Sequence, residues 1–317
     1  MNGEIINNLL RRIIYYPLLL FRIPNIIIVA LTVWVFSTHI VYPRLLSSDI
    51  LPILSMKDLY LLVFIIGCIA AGGYLLNDII DIETDKANQK RAFINTGLER
   101  LIGFISYGII TVAPIPFSYS LASEIDKVAY MPLYFIVVIT LALYNLYLKN
   151  IPLIGNLVVA LLCAAVIWVF LLAEQESLIK ISELDPEAYQ FIISMSIFYY
   201  VFAFCTNLSR EIIKDIQDLY GDKEVGALTL PIAIGINRSR HIVIFIILIL
   251  SAFLIWWLST VTMSTAMILS VMILLIAPMS FLIYSLSKCD EYSNYSSISK
   301  AFKVWMVLGL IFLYCNS

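Results

Sequence analysis

The chain has 317 residues, of which 62% are hydrophobic and 13% charged, and its mean hydropathy is +0.95. That composition excludes a soluble globular core and marks a polytopic membrane protein. The formal net charge of −2 says little taken whole, because in a membrane protein the distribution of Lys and Arg matters and the sum does not; no nucleic-acid partner is expected.

Residues 1–22 carry Arg11 and Arg12 before a short apolar stretch that is interrupted by Pro17 and closed by Arg22. Nine apolar residues are too few to span a bilayer, and no small-x-small cleavage site follows, so an interfacial helix is expected there. Nine apolar runs then follow, at about 24–42, 57–77, 101–121, 128–148, 151–173, 190–209, 240–259, 262–286 and 301–315. Each has the roughly 20 residues that one helical crossing needs. The fourth and fifth are separated only by Lys149 and Asn150, which predicts a tight helical hairpin. With nine spans, 16 of the 20 Lys and Arg residues fall on the side of the N-terminus and 4 on the other. The positive-inside rule then predicts a cytoplasmic N-terminus and an external C-terminus.

Acid stands out against this background in two places. Asn77-Asp78-Ile79-Ile80-Asp81-Ile82-Glu83-Thr84-Asp85 ends the second apolar run, and Lys214-Asp215-Ile216-Gln217-Asp218-Leu219-Tyr220-Gly221-Asp222 ends the sixth. Asp78, Asp81 and Asp85 share the i, i+3, i+7 spacing of Asp215, Asp218 and Asp222, which sets each trio on one helix face. A carboxylate in a membrane span costs roughly 2.5–3.5 kcal/mol on insertion scales, so the trios need a counter-charge. Mg²⁺ is the simplest one, since it takes one or two carboxylates and fills its remaining positions with phosphate oxygens and water. The two acidic helices therefore read as a diphosphate-binding metal site facing the cytoplasm.

The neighbouring residues suit that reading. Lys86, Lys90 and Arg91 follow the first motif and Arg210 and Lys214 lead the second, placed to clamp diphosphate oxygens; as cytoplasmic-side charges they also serve topology. Ala70-Ala71-Gly72-Gly73 permits close helix approach, either for sharing metal or simply for packing. Tyr144 and Tyr147, followed by Lys149, offer ring faces that stabilise a carbocation, although tyrosine is common at membrane interfaces anyway. Gly221 and Gly226 are expected to form tight turns after the second motif. The five cysteines are scattered and the two histidines far apart, which argues against disulfide, haem or zinc chemistry. An ion-coupled transporter is the rival class, but the acids lie at span ends and paired Gly/Pro helix breaks are lacking. A lipid head-group phosphotransferase requires an Asp-Gly-x-x-Ala-Arg signature, which the sequence does not contain.

The paired aspartate motifs, Arg22-Ile23-Pro24-Asn25 before the first span and the nine spans together resemble the UbiA superfamily of intramembrane prenyltransferases, over most of the chain. The resemblance implies a single all-α intramembrane domain over residues 1–317, with nine transmembrane helices around a central cavity. It also implies two Mg²⁺ ions, held by Asn77, Asp78, Asp81 and Asp85 and by Asp215, Asp218 and Asp222 against the diphosphate of an isoprenyl donor. Arg22 and Asn25 are then expected at the substrate. Arg210-Glu211-Ile212-Ile213-Lys214-Asp215, Gly221-Asp222 and Thr229-Leu230-Pro231-Ile232 are similar to the geranylgeranylglycerol-phosphate geranylgeranyltransferase branch. A lipophilic glycerol-phosphate acceptor is the expectation that follows, with an aromatic acceptor of quinone biosynthesis as the alternative. Asn88-Gln89-Lys90-Arg91-Ala92 lacks the two prolines that the family often has at this point.

Overall fold

The computed structural model describes residues 22–88, 97–260, 264–290 and 293–316, and every regular element among them is helical. In chain order these are α1 (Ile23–Ser47), α2 (Met56–Ile80), α3 (Ile82–Ala87), α4 (Gly97–Glu124), α5 (Val128–Leu146), α6 (Ile154–Ala173), α7 (Gln175–Leu184), α8 (Pro186–Glu224), α9 (Leu230–Ile234), α10 (Ile236–Thr260), α11 (Thr265–Lys288) and α12 (Tyr295–Cys315). Nine of the described helices are long and apolar enough to cross a membrane: all except α3, α7 and α9. They match the nine apolar runs, with one large extension: the sixth, expected to end near residue 209, continues as a single 39-residue helix to Glu224. The interfacial segment expected before Arg22 lies outside the described residues.

Proline shapes the long helices. Pro43 and Pro278 each stand two residues beyond a π-helical turn, at Phe36–Val41 and Val271–Ile276. A proline has no N–H to give the carbonyl four residues back and its ring crowds that carbonyl, so the turn before it widens. The carbonyl left over by Pro43 is that of His39, and the Arg44 guanidinium takes it, Nη1 donating to Ile40 O at 2.9 Å and to His39 O at 3.4 Å. In the second π turn the indole N–H of Trp305 donates to Leu275 O at 3.1 Å. Each widened turn thus has a side-chain donor on one of its carbonyls.

The chain forms two compact units, Met1–Ala30 with Asp58–Tyr147, and Leu31–Lys57 with Leu148–Ser317. In the first, a Cβ on Gly72 would stand 3.0 Å from Thr111 Cγ2 on α4, and one on Gly73 3.3 Å from Leu141 on α5. The glycine pair therefore serves the packing of α2 against α4 and α5. Leu75 and Ile79 form a small core with Ile82, Tyr107 and Ile110, while α4 and α5 leave broad apolar faces exposed, as lipid-facing helices do.

The second unit is built on α8. Phe198 stacks on Trp257 at 4.5 Å between centroids and lies 5.1 Å from Phe312, and Phe202 meets Trp305 edge-on at 5.4 Å. Lipid tails are as apolar as these rings, so the cluster gains from packing geometry, about 0.5–1.5 kcal/mol per aromatic pair. Gly309 is required there, because a Cβ would overlap the Phe202 ring.

Candidate active site

In the first unit the apolar face of α2 ends one turn before its acids. The helix stops at Ile80; Asp81, with φ −85° and ψ 14°, leaves helical geometry, and α3 resumes at Ile82. Backbone bonds from Asp81 N to Asn77 O and from Asp85 N to Asp81 O, both 2.8 Å, carry the chain across the break. The first trio is therefore spread over two successive helices, where the spacing predicted one face. Asn77 Nδ2 donates to Asp81 Oδ2, tying the residues on either side of the break.

Arg22 supplies the charge. Its Nη2 donates to Asp78 Oδ1 at 3.0 Å, with the two side chains 30% and 12% exposed, and its guanidinium lies 5.2 Å from the centre of the Tyr74 ring. Asn25 Nδ2 donates to the Tyr74 hydroxyl at 3.3 Å. Arg22 and Asn25, expected at the substrate, thus dock on the α2 face that carries Asp78 one turn beyond Tyr74. Arg22 has φ 47°, a left-handed conformation that costs a non-glycine residue about 1–3 kcal/mol, so the pairing is held against strain. Lys86 is exposed and pairs with Glu83 at 3.2 Å. Lys90 and Arg91 lie outside the described residues.

In the second unit the acids ride on unbroken helix. Glu211 accepts from Arg210 Nη1 at 3.2 Å and from Lys214 Nζ at 2.7 Å, and one turn on Asp215 Oδ2 accepts from Asn156 Nδ2, on the first turn of α6, at 2.8 Å. Asp218 and Asp222 follow on α8, with Asp222 buried. The two proposed phosphate clamps, Arg210 and Lys214, are gathered here with Asp215. Asn156 escaped the sequence reading, and Glu211 entered it only as part of the branch motif, with no role of its own; an amide in an apolar run and an acid one turn before Asp215 were the available signals.

Of the two glycines expected to turn the chain, only Gly226 does so. It has φ 76°, and Ala227 N to Asp222 O at 2.8 Å and Gly226 N to Lys223 O at 3.3 Å close α8. Gly221 is instead buried within the helix. Tyr144 lies in the last turn of α5; Tyr147, just beyond it, is 64% exposed, and Lys149 sits in the following 3₁₀ turn. An exposed ring at a helix end matches the interfacial role of tyrosine.

The donor sets of the two stretches have the same chemistry. Arg22 and Lys86 stand against Asp78, Asp81, Glu83 and Asp85, and Arg210 and Lys214 against Glu211, Asp215, Asp218 and Asp222, a formal charge of −2 in each case. Among the described residues no three His, Cys, Asp or Glu side chains are gathered closely enough to hold a metal ion. Mg²⁺ asks for few protein ligands when phosphate oxygens supply the rest, and all the acidic groups here offer hard oxygen, so the residues fit it.

Residues 35–307 match the UbiA prenyltransferase family. The chain belongs to that family. A digeranylgeranylglyceryl phosphate synthase of Sulfurisphaera tokodaii is 30% identical over 74% of this chain and 80% of its own length. The enzymes of the same name from Sulfolobus acidocaldarius and Thermococcus kodakarensis are 34% and 32% identical, over 60% and 61% of this chain and 62% and 61% of their own lengths. A solved structure from a study of digeranylgeranylglyceryl phosphate synthase in membranes superposes with a TM-score of 0.60, at 21% identity, over 94% of this chain and 96% of that one. The all-α, multi-pass fold is therefore that of a UbiA-family prenyltransferase, an enzyme that transfers isoprenyl groups.

Proposed function

We propose that this UbiA-family enzyme transfers a geranylgeranyl group from its diphosphate to the free hydroxyl of geranylgeranylglycerol phosphate, a step of ether-lipid synthesis. The observation that carries this reading is the pair of identically spaced aspartate trios, each with Arg or Lys beside it, in a chain whose relatives are named for that product. The allylic carbon–oxygen bond of the donor breaks, diphosphate leaves, and the acceptor oxygen bonds to the allylic carbon as its proton departs.

Asn77, Asp78, Asp81 and Asp85 would hold one Mg²⁺ and Asp215, Asp218 and Asp222 a second. When bound, these ions supply positive charge to the departing diphosphate. Lys214 and Arg210 add hydrogen bonds to its oxygens, exchanging Glu211 for phosphate, and Lys86, Lys90 and Arg91 do the same beside the first trio. Arg22 holds Asp78 in place and Asn25 fixes Tyr74 beneath it. Tyr144 and Tyr147 present ring faces to the allylic cation, with Lys149 beside them. The apolar helix walls keep water from that cation. Residues 1–317 form one intramembrane domain with the N-terminus and both acidic stretches cytoplasmic, where Mg²⁺ and soluble diphosphates are available.

The test is an acceptor screen with purified protein, radiolabelled geranylgeranyl diphosphate and Mg²⁺. Label passing to geranylgeranylglycerol phosphate and lost with EDTA is the expected result. Transfer only to an aromatic acceptor overturns the acceptor assignment, and metal-independent transfer overturns the role of the aspartates.

A further inference from the structure

The side chain that hydrogen-bonds Asp215 is a neutral amide delivered by a tight turn. Leu153 has φ 68°, and a Cβ on Gly155 would stand 2.7 Å from Lys149 Cα and 2.9 Å from Leu148 O, so the chain before α6 folds back onto itself at Gly155. Asn156 comes next, is 9% exposed, and donates Nδ2 to Asp215 Oδ2 at 2.8 Å. The amide orientation follows from chemistry, since Oδ1 in that position would set acceptor against acceptor. The nearby cations are engaged elsewhere, with Arg210 and Lys214 both on Glu211.

From this arrangement we propose that Asn156 is the positioning residue of the second acidic stretch. It fixes the rotamer of Asp215 with a hydrogen bond from a neutral donor, which adds no positive charge beside the oxygens that would receive a divalent cation. Glu211 completes the division of labour by taking hydrogen bonds from both cations, Arg210 and Lys214. A lysine or arginine at position 156 would orient the carboxylate equally well but cancel the charge that attracts the metal. Outer hydrogen-bond partners of metal ligands typically contribute 10- to 100-fold to metal affinity. This inference rests on the reading of Asp215 as a cation ligand.

The test is Mn²⁺ binding followed by electron paramagnetic resonance, on purified protein in detergent with a non-hydrolysable geranylgeranyl diphosphate analogue. The proteins compared are wild type, Asn156→Leu, Asp215→Asn and the double variant. Leucine preserves the side-chain volume and removes the donor. Asn156→Leu is expected to weaken Mn²⁺ binding on the order of tenfold, and to add nothing in the Asp215→Asn background. Unchanged binding in the single variant, or a loss that simply adds in the double variant, overturns the proposal. If Asn156→Leu does not give folded protein, Asn156→Ala carries the same comparison; failure of both to fold assigns Asn156 to folding and overturns it as well. Absence of Mn²⁺ binding in the wild type overturns the metal reading itself, a result distinct from loss of the Asn156 effect alone.

Discussion

The two acidic stretches have one spacing and two constructions. The first breaks its helix at Asp81 and holds Asp78 with a guanidinium, Arg22 at 3.0 Å. The second runs through a continuous helix to Glu224 and holds Asp215 with an amide, Asn156 at 2.8 Å. The difference teaches that an i, i+3, i+7 repeat specifies which oxygens are available and leaves open how they are held. A charged holder must be matched when the ligand arrives, and a neutral one need not be. The first stretch carries its cation on a strained residue ahead of α1, whereas the second keeps its cations on α8 itself, tied to Glu211.

The largest expected effect treats the stretches as equals. Asp81→Asn and Asp218→Asn should each lower prenyl transfer on the order of 10²–10³-fold while the protein stays folded by gel filtration. If only one variant lost activity, the two trios would not have matched roles.

A smaller effect separates them. Arg22→Ala removes the counter-charge of a mostly buried carboxylate and should reduce kcat/KM roughly 10- to 100-fold, with partial recovery in Arg22→Lys, which restores charge without the fork. Steady-state kinetics decide the matter, since an unchanged kcat/KM in Arg22→Ala would make that ion pair a surface ornament.

These residues also mark how far the sequence could be read. Nine apolar runs gave nine spans among the described residues because hydrophobic length is a one-dimensional property, and the aspartate trios stood out because carboxylates near a bilayer are costly. The break at Asp81 was not legible, since the i, i+3, i+7 pattern suits a continuous helix as well as an interrupted one. Gly221 and Gly226 are the same residue type near the same helix end, yet only Gly226 takes positive φ, because α8 extends beyond Asp222. The partnership of Asn156 with Asp215 spans 59 residues of sequence and depends on the packing of α6 against α8. The π turns ahead of Pro43 and Pro278 were legible in principle, given that a proline directly follows the first apolar run and another interrupts the eighth.

Smaller again is the effect of the turn that delivers Asn156. Gly155→Ala drives a Cβ to 2.7 Å from backbone, which no rotamer can relieve, and should cost about 1–3 kcal/mol of stability with a lower melting temperature in detergent. Gly73→Ala, in the first unit, meets only the flexible Leu141 side chain at 3.3 Å and should cost less. Equal losses in thermal melts would show that the two glycines are under the same constraint.

The smallest expected effect concerns a third carboxylate, which tests what neutral donors alone accomplish. Glu174 follows α6 directly, is 0% exposed, and accepts Ile53 N on Oε2 and Leu54 N on Oε1, each at 2.8 Å. Burial raises its pKa above the ordinary glutamate range, while the two backbone donors and the Ser177 hydroxyl pull it back. A carboxyl whose pKa is raised by folding binds its proton more tightly in the native state. Its stabilising contribution is therefore complete below the unfolded pKa of about 4.3 and fades as pH climbs through the raised folded value. Melting temperature in detergent should accordingly decline as pH rises through that window, and Glu174→Gln, which cannot titrate, should flatten the decline. A decline of the same size in Glu174→Gln would assign the pH response to other groups. A melting temperature that rises through the window in wild type but not in Glu174→Gln would show that neutral donors, the two backbone N–H groups and the Ser177 hydroxyl, hold this buried carboxylate charged.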